Sequence, residues 1–320
     1  MELFTTVDVI GQGLPLLLPK GTKMVMKLQR WIEDLEDKEW GYVRTKTPLM
    51  AKSDLYKISG HWDHYKEGMF VLGDEEKDKE VFALRPMTCP FQYYCYKNSQ
   101  HSYRDLPIRY GETSTLFRNE DSGEMHGLTR VRQFTISEGH LVIRPDQAQE
   151  ELKSCLDLAH YCLSTLGLED EVTYRLSKWD PNNKEKYLGD EEYWESTQSK
   201  IREVLKEKGV AFTEADGEAA FYGPKIDIQA KNVYGKEDTM ITIQLDCDQH
   251  IGKFRKSCLA DLESDLFGTA VNRNINIICG QFLSYLLRII LIFLGNRKHT
   301  HLLRTQPCRE LARIFFDQPC

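Results

Sequence analysis

The chain is 320 residues long, with 28% charged and 41% hydrophobic residues, which excludes a disordered or fibrous polymer and fits one large domain or two ordinary ones. A net charge of −7 argues against a general nucleic-acid coat but allows a local basic groove. No basic leader opens the chain, its longest apolar run (282–294) is interrupted by Arg288, and its nine cysteines form no CxxC pair, so secretion, membrane spanning and a disulfide framework are not expected and a cytosolic setting is the default.

Residues 1–22 are punctuated by Gly and Pro and read as a short edge strand and a turn. From 24 to 38, Val25, Leu28, Ile32 and Leu35 follow helical spacing, and Gly41 stands past the end as a stop. Residues 42–47 are β-branched and aromatic, which predicts a strand closed by Pro48. In GHWDHYKEGMF (60–70), His61 and His64 admit a metal pair, but the composition favours a loop and turn with Trp62 and Tyr65 buried. EVFALRPMTCP (80–90) predicts a strand ending in a Pro-bounded turn with Cys89 near its tip.

The next stretch, LFRNEDSGEMHGLTRVRQFTISEGH (116–140), is two strand-like runs around a polar loop. Arg118 and Glu120 fall on one face of the first run, and Arg130, Arg132 and Phe134 on one face of the second, because strand side chains repeat every second residue. Guanidinium forks suit phosphate oxygens and an aromatic ring suits a base, so the stretch reads as a platform for a nucleoside polyphosphate. After it, LVIRP closes a strand, and Asp146 with Gln149 resembles a capping box. Leu152, Leu156, Ala159, Leu163 and Leu166 then line one helical face up to Gly167. A strand is predicted over 173–176, a capped amphipathic helix over 190–208, and two strongly alternating strands in EAAFYGPKIDIQA and DTMITIQLD. Strand meanders interrupted by capped helices indicate an α+β fold, an antiparallel sheet flanked by helices.

Several of these segments in this order, namely GHWDHYKEGMF, RPMTCP, SYRDLPIRYGE, FRNEDSGEMHGLTRVRQF, GEAAFYGPK and IQLD, resemble the catalytic domain of the threonyl-tRNA synthetases, a family of class II aminoacyl-tRNA synthetases. The resemblance runs from about residue 10 to Asp246 and implies a class II catalytic domain over 1–246. It implies ATP-dependent activation of threonine and its ligation to tRNA(Thr), with Mg2+ on the phosphates. Arg118 would bind the α-phosphate and the amino-acid carboxylate, Glu120 the adenine amino group, Arg130 the γ-phosphate, with Phe134 stacking on adenine and Gln244 near ATP. Arg118 and Arg130 would be the catalytic pair, and no side chain would act as nucleophile. Cys89 and His140 would be Zn2+ ligands, Glu138 would receive the threonine hydroxyl, and Tyr222 and Lys225 would line the amino-acid side of the pocket. Residues 24–50 would form a homodimer interface, and an amino-terminal editing region found in many relatives would be absent.

The sequence departs from that pattern in three places. Glu138 stands where the family has Asp, and Ile136 where a polar Gln is common. Beyond IQLD, a third zinc-ligand His and a third motif with its ATP-clamping Arg are not recognisable: Asn272 stands near the expected His and Gln281 near the expected Arg. Residues 247–320 hold 10 Lys+Arg against 6 Asp+Glu and five of the nine cysteines, whereas the remainder holds 32 against 43. The tail (247–320) therefore reads as out-of-frame or diverged sequence with no anticodon-binding domain, and His250, His299 and His301 have no ligand spacing. An inactive synthetase-like module that binds ATP, tRNA or a partner, or a seryl-specific relative, stand as alternatives to an active threonine ligase.

Overall fold

The computed structural model describes residues 3–125, 127–231, 235–247 and 276–282, with side chains placed as far as residue 246. The readings of Asn272, His250, His299 and His301, and of the tail beyond 282, lie outside these residues.

Two short strands, β1 (Phe4–Thr5) and β2 (Leu16–Leu17), pair antiparallel and lead into helix α1 (Pro19–Lys38). The helix begins earlier than its apolar spacing predicts, because proline suits a first helical turn. Its predicted face, Val25, Leu28, Ile32 and Leu35, is buried. The strand expected over 42–47 shrinks to β3 (Val43–Arg44), parallel to the first strand of the central hairpin. Its remaining residues are diverted to a carboxylate: the Thr47 amide and hydroxyl donate to Glu112 at 3.3 and 2.9 Å.

A small three-stranded sheet follows, built from β4 (Met50–Lys52), β5 (Val71–Leu72) and β6 (Phe82–Leu84) in the order β4-β6-β5. The expected loop at 60–70 is instead largely helical. Helices α2 (Ser53–Ile58) and α3 (His61–Tyr65) meet at Gly60, whose φ of 76° makes a left-handed turn that glycine accepts. Trp62 is buried, as expected, but Tyr65 is only half-buried. Cys89 is not at a strand tip: it opens helix α4 (Cys89–Lys97), where Pro90 sits in the first turn.

The predicted hairpin is present as β7 (Ile108–Phe117) and β8 (Gln133–Ile143), paired from Ile108↔Val142 to Phe117↔Gln133. Helix α5 (Ala148–Thr165) lacks the predicted side-chain cap. Gln147 instead closes the turn at 145–147 before it, accepting from the Arg144 amide at 2.9 Å, while Asp146 pairs with the Arg144 guanidinium. Leu152, Leu156, Ala159, Leu163 and Leu166 are all buried. Strand β9 (Val172–Ser177) and helix α6 (Glu191–Glu207) follow, with the Tyr193 amide donating to Asp190 at 2.9 Å as a cap.

Strands β10 (Phe212–Ala215), β11 (Lys225–Lys231), β12 (Glu237–Cys247) and β13 (Asn276–Phe282) complete an eight-stranded sheet in the order β10-β9-β11-β12-β13-β8-β7-β3. Apart from the parallel β9–β10 and β3–β7 pairs, it is antiparallel. Strand β13 lies between β8 and β12, so the compositional break at 247 falls within the sequence of the sheet rather than after it. One face of the sheet packs on α1, α5 and α6 to form the main core. Opposite Ile228 and Gln229 of β11, strand β12 carries one extra residue, Met240, which shifts the register between the two strands. As a result adjacent residues Met240 and Ile241 both point into the core, and Glu237, Thr239, Thr242 and Gln244 share the opposite face.

Two buried carboxylates tie this frame together. Glu112 on β7 and Arg85 form an ion pair at 3.0 Å with side chains 1% and 0% exposed. Arg85 also donates to the Thr115 carbonyl (2.9 Å) and the Thr47 hydroxyl (2.6 Å). Glu36, sealed at the end of α1, accepts from the Arg44 guanidinium at 2.7 Å and from the Ser137 hydroxyl of β8 at 3.0 Å. Burial outweighs the pull of Arg44 and pushes Glu36 from its ordinary 4.5 up to about 7.

Between those two values the folded chain holds a proton that the unfolded chain has released, so this group lowers stability as pH rises through the window. Urea denaturation should reveal it by comparison with Glu36→Gln. Moving from about pH 5 to about pH 8 should shift the stability difference in the variant's favour by on the order of 3 kcal/mol. A difference independent of pH would remove Glu36 from this role.

Candidate active site

The face of the sheet away from α5 and α6 opens into a cleft of about 520 Å³, whose lining includes Cys89, Arg118, Tyr222, Lys225 and Gln244. Residues far apart in sequence thus meet in one place. Arg118 lies one residue past the end of β7, where its amide continues the ladder by donating to the Arg132 carbonyl at 2.9 Å. Its guanidinium stands 5.1 Å from the centre of the Phe134 ring, so a cation and an aromatic face are already coupled. Tyr222 lies in the turn closed by Ala220 and Gly223, and its hydroxyl donates to Gln244 Oε1 at 2.6 Å. Gly223 beside it lets the chain approach β12: a Cβ there would lie 2.1 Å from the Leu245 carbonyl oxygen.

Glu120, Arg130 and Phe134 do not line the cleft. Glu120 is in the loop rather than on the strand, and Arg130 and Arg132 precede β8 rather than opening it. The Arg130 guanidinium donates to Glu120 at 2.8 Å and also pairs with Glu124. Arg132 donates to the Glu120 carbonyl at 3.1 and 3.0 Å. These contacts close the hairpin loop on itself.

Glu138 and His140 lie on β8, not at its end, and are 0% and 1% exposed. Between them stands Gly139, where a Cβ would meet the Tyr42 ring at 2.5 Å. Burial opposes the His140 charge, but the neighbouring Cys89, hydrogen-bonded to it, and then Glu138 and Glu112 raise it above its ordinary range. Glu138 is pushed up to about 7 by burial, against the opposite pull of His140. Its register partner across the hairpin is Glu112. The adjacent Thr88 and Ser114 hydroxyls, which bond to each other at 2.9 Å, also pull against that rise. Cys89 and His140 are a chemically sound pair of zinc donors. Among the described residues, no group of three His, Cys, Asp or Glu side chains stands ready to hold a metal ion.

Three features of the site were not anticipated from sequence. His61 and His64 both pack on Phe221, His61 edge-on at 5.8 Å and His64 stacked at 4.9 Å. Tyr93 donates to Asp246 at 3.1 Å and sets its ring edge against His140. Asp227 lies in the cleft floor beside Lys225 at 3.0 Å. For Asp227 a signal was present: in KID it falls two residues from Lys225, on the same strand face.

A family model described as tRNA synthetase class II core domain (G, H, P, S and T) matches residues 70–294. The threonine–tRNA ligase of Clostridium perfringens is 69% identical over 246 residues, covering 77% of this chain and 38% of that protein. That of a Geobacillus species is 48% identical over the same share of the chain. The chain therefore spans about two fifths of the length of these relatives. Among solved structures, the RNA binding domain of threonyl-tRNA synthetase from Cryptosporidium parvum superposes with a TM-score of 0.78 at 32% identity, covering 92% of this chain and 69% of that one. A putative threonyl-tRNA synthetase from Aeropyrum pernix gives 0.77 at 26%, covering 93% and 67%.

The close approach at Gly223 yields a stability test of the turn that presents Tyr222. Gly223→Ala should cost about 1–3 kcal/mol, because a backbone carbonyl cannot swing aside as a side chain can. Gly123→Ala, where nothing lies within 4 Å, should stay within about 0.5 kcal/mol of wild type. Equal stabilities in urea denaturation would contradict the packing described.

Proposed function

The chain belongs to the class II tRNA synthetase core family, and from that premise we propose that it activates threonine with ATP and ligates it to tRNA(Thr). The observation that carries this reading is the meeting of Arg118, Tyr222, Lys225, Gln244 and Cys89 in one cleft. In the first step the threonine carboxylate attacks the α-phosphorus of ATP and pyrophosphate leaves. In the second the 3′-terminal hydroxyl of the tRNA takes the threonyl group from the adenylate.

Arg118 binds the α-phosphate and the carboxylate and stabilises the charge that builds between them. Phe134, already under the Arg118 guanidinium, stacks on adenine. Glu120 contacts the adenine amino group. Arg130 holds the γ-phosphate, exchanging its carboxylate partners Glu120 and Glu124 for phosphate oxygens. Tyr222 and Lys225 line the amino-acid side, and the Tyr222–Gln244 bond fixes both groups. Catalysis is positioning and charge stabilisation rather than covalent attack by the protein. Mg2+ bound to the nucleotide would neutralise phosphate charge.

Cys89 and His140 would be two ligands of Zn2+, which when bound offers an open position to the amino and hydroxyl groups of threonine. Glu138, sealed beside them, receives the substrate hydroxyl; valine has threonine's shape but cannot supply that hydroxyl.

Residues 1–246, joined by β13, form the catalytic domain of this proposal, and residues 24–50 its homodimer interface. Met26, Val43, Leu49 and Met50 are 43–58% exposed in that stretch, which supports an apolar surface to be covered. No helix among the described residues is long and apolar enough to cross a membrane. A cytoplasmic location, where tRNA is charged, is part of the same proposal.

Threonine-dependent ATP–pyrophosphate exchange tests the reading. Arg118→Ala should lower it about 100- to 1000-fold, and retained exchange would take Arg118 out of the mechanism. ATP binding without exchange in the wild type would favour an inactive module, and preference for serine in competition would favour a seryl-specific enzyme. Protein purified without chelator should carry about one zinc per chain; a clearly substoichiometric content would overturn the metal assignment.

A further inference from the structure

The cleft floor holds a carboxylate that the steps above do not use. Asp227 is fully sealed from solvent. The Ser177 hydroxyl donates to Asp227 Oδ2 at 2.7 Å and the Thr242 hydroxyl to Oδ1 at 3.1 Å. The Lys225 ammonium lies 3.0 Å from Oδ2 and 3.2 Å from Oδ1, and the Arg175 guanidinium 3.2 Å from Oδ2. Donors from three adjacent strands, β9, β11 and β12, thus converge on one side chain. Arg175 also reaches Glu218 at 3.5 Å, in the turn that leads to Tyr222. Burial would push this carboxyl up, but Lys225, Ser177 and Arg175 outweigh it and hold it below its ordinary range.

Asp227 borders the cleft floor but offers no exposed surface there, so its effect on a ligand passes through a more exposed neighbour. Lys225 is that neighbour: its side chain keeps 21% of its exposure and lines the cleft. A lysine is a point charge on a flexible stem, with about 2 kcal/mol of rotamer entropy to lose when it is fixed. We propose that Asp227 is a positioning residue that pins the Lys225 ammonium at the cleft floor, so that it is already placed when an anionic group of the amino acid or its adenylate arrives. Ser177 and Thr242 fix the carboxylate, and the carboxylate fixes the lysine. Asp227 also spares the empty floor an uncompensated pair of cations, Lys225 and Arg175.

The inference rests on the adenylation reading, and its test separates the two. Asp227→Asn should raise the threonine KM in pyrophosphate exchange about tenfold, the scale of a misplaced binding group. The ATP KM should stay within about twofold. In a Lys225→Ala background the same substitution should add no further loss. Equal losses in both backgrounds, or an unchanged threonine KM, would overturn the proposal. A second readout needs no turnover: acetylation of Lys225 by acetic anhydride, followed by peptide mass spectrometry, should speed up severalfold in Asp227→Asn. If wild type shows no exchange, the functional reading fails and the labelling rate alone decides the positioning role, an unchanged rate overturning it. If Asp227→Asn does not fold, Ser177→Ala, which removes a sealed donor outside the cleft, should shift both readouts in the same direction by about two- to threefold, and no shift in either would overturn the proposal.

Discussion

The buried ion pair between Arg85 and Glu112 sets the geometry on which the site depends. Glu112 belongs to β7, Arg85 precedes α4, and the threonines bound to Glu112 follow β3. Three segments are therefore fixed to one point inside the fold. A buried ion pair contributes little net stability over a well-packed apolar substitute, whereas removing one partner costs about 3–5 kcal/mol. Its effect here is directional. Arg85 has donors spent on Thr47, Thr115 and Glu112, so the backbone entering α4 is anchored just before Cys89, which hydrogen-bonds to His140. The pair also divides two carboxylates that face each other across the hairpin. Glu112 has a guanidinium partner; Glu138, opposite, has none and shifts toward its neutral form.

The main elements were readable because they are periodic. The apolar faces of α1 and α5, the Asp190 cap and the β7–β8 hairpin all follow from spacing alone. The misread elements share a cause: a tertiary partner took residues that local preference would have placed elsewhere. Thr45 and Thr47 are β-formers, yet they turn out of the strand to reach Glu112. Cys89 follows a proline-rich run that resembles a turn, yet Pro90 suits a helix start equally well. Asp146 and Gln149 fit a capping box on paper, but Arg144 claims the aspartate and Gln147 closes the turn before the helix.

The site shows the same division. Arg118, Tyr222, Lys225, Gln244 and Cys89 were named from motifs, and the fold brings them into one cleft. Arg130 was assigned by the same means, but it is held by Glu120 and Glu124, a contact that no spacing rule encodes. The β-bulge, by contrast, left a mark: in DTMITIQLD the alternation breaks where Met240 and Ile241 are both apolar, and both turn inward. Without that extra residue, Thr239 and Glu237 would face the core and the polar floor of the cleft would end at Thr242.

The place of β13 has a further consequence. It is the innermost late arrival in the sheet, with Cys279 opposite His140 on one side and Gln244 on the other. Until residues 276–282 are synthesised, β8 and β12 are both open borders, each presenting unpaired amides and carbonyls. In the strand order, β13 is the one link between two blocks, β3-β7-β8 and β12-β11-β9-β10. Any shortening of the chain before this strand leaves those two borders free to recruit strands from other molecules. The completed sheet has its seam through the middle, beside the residues that would do the chemistry.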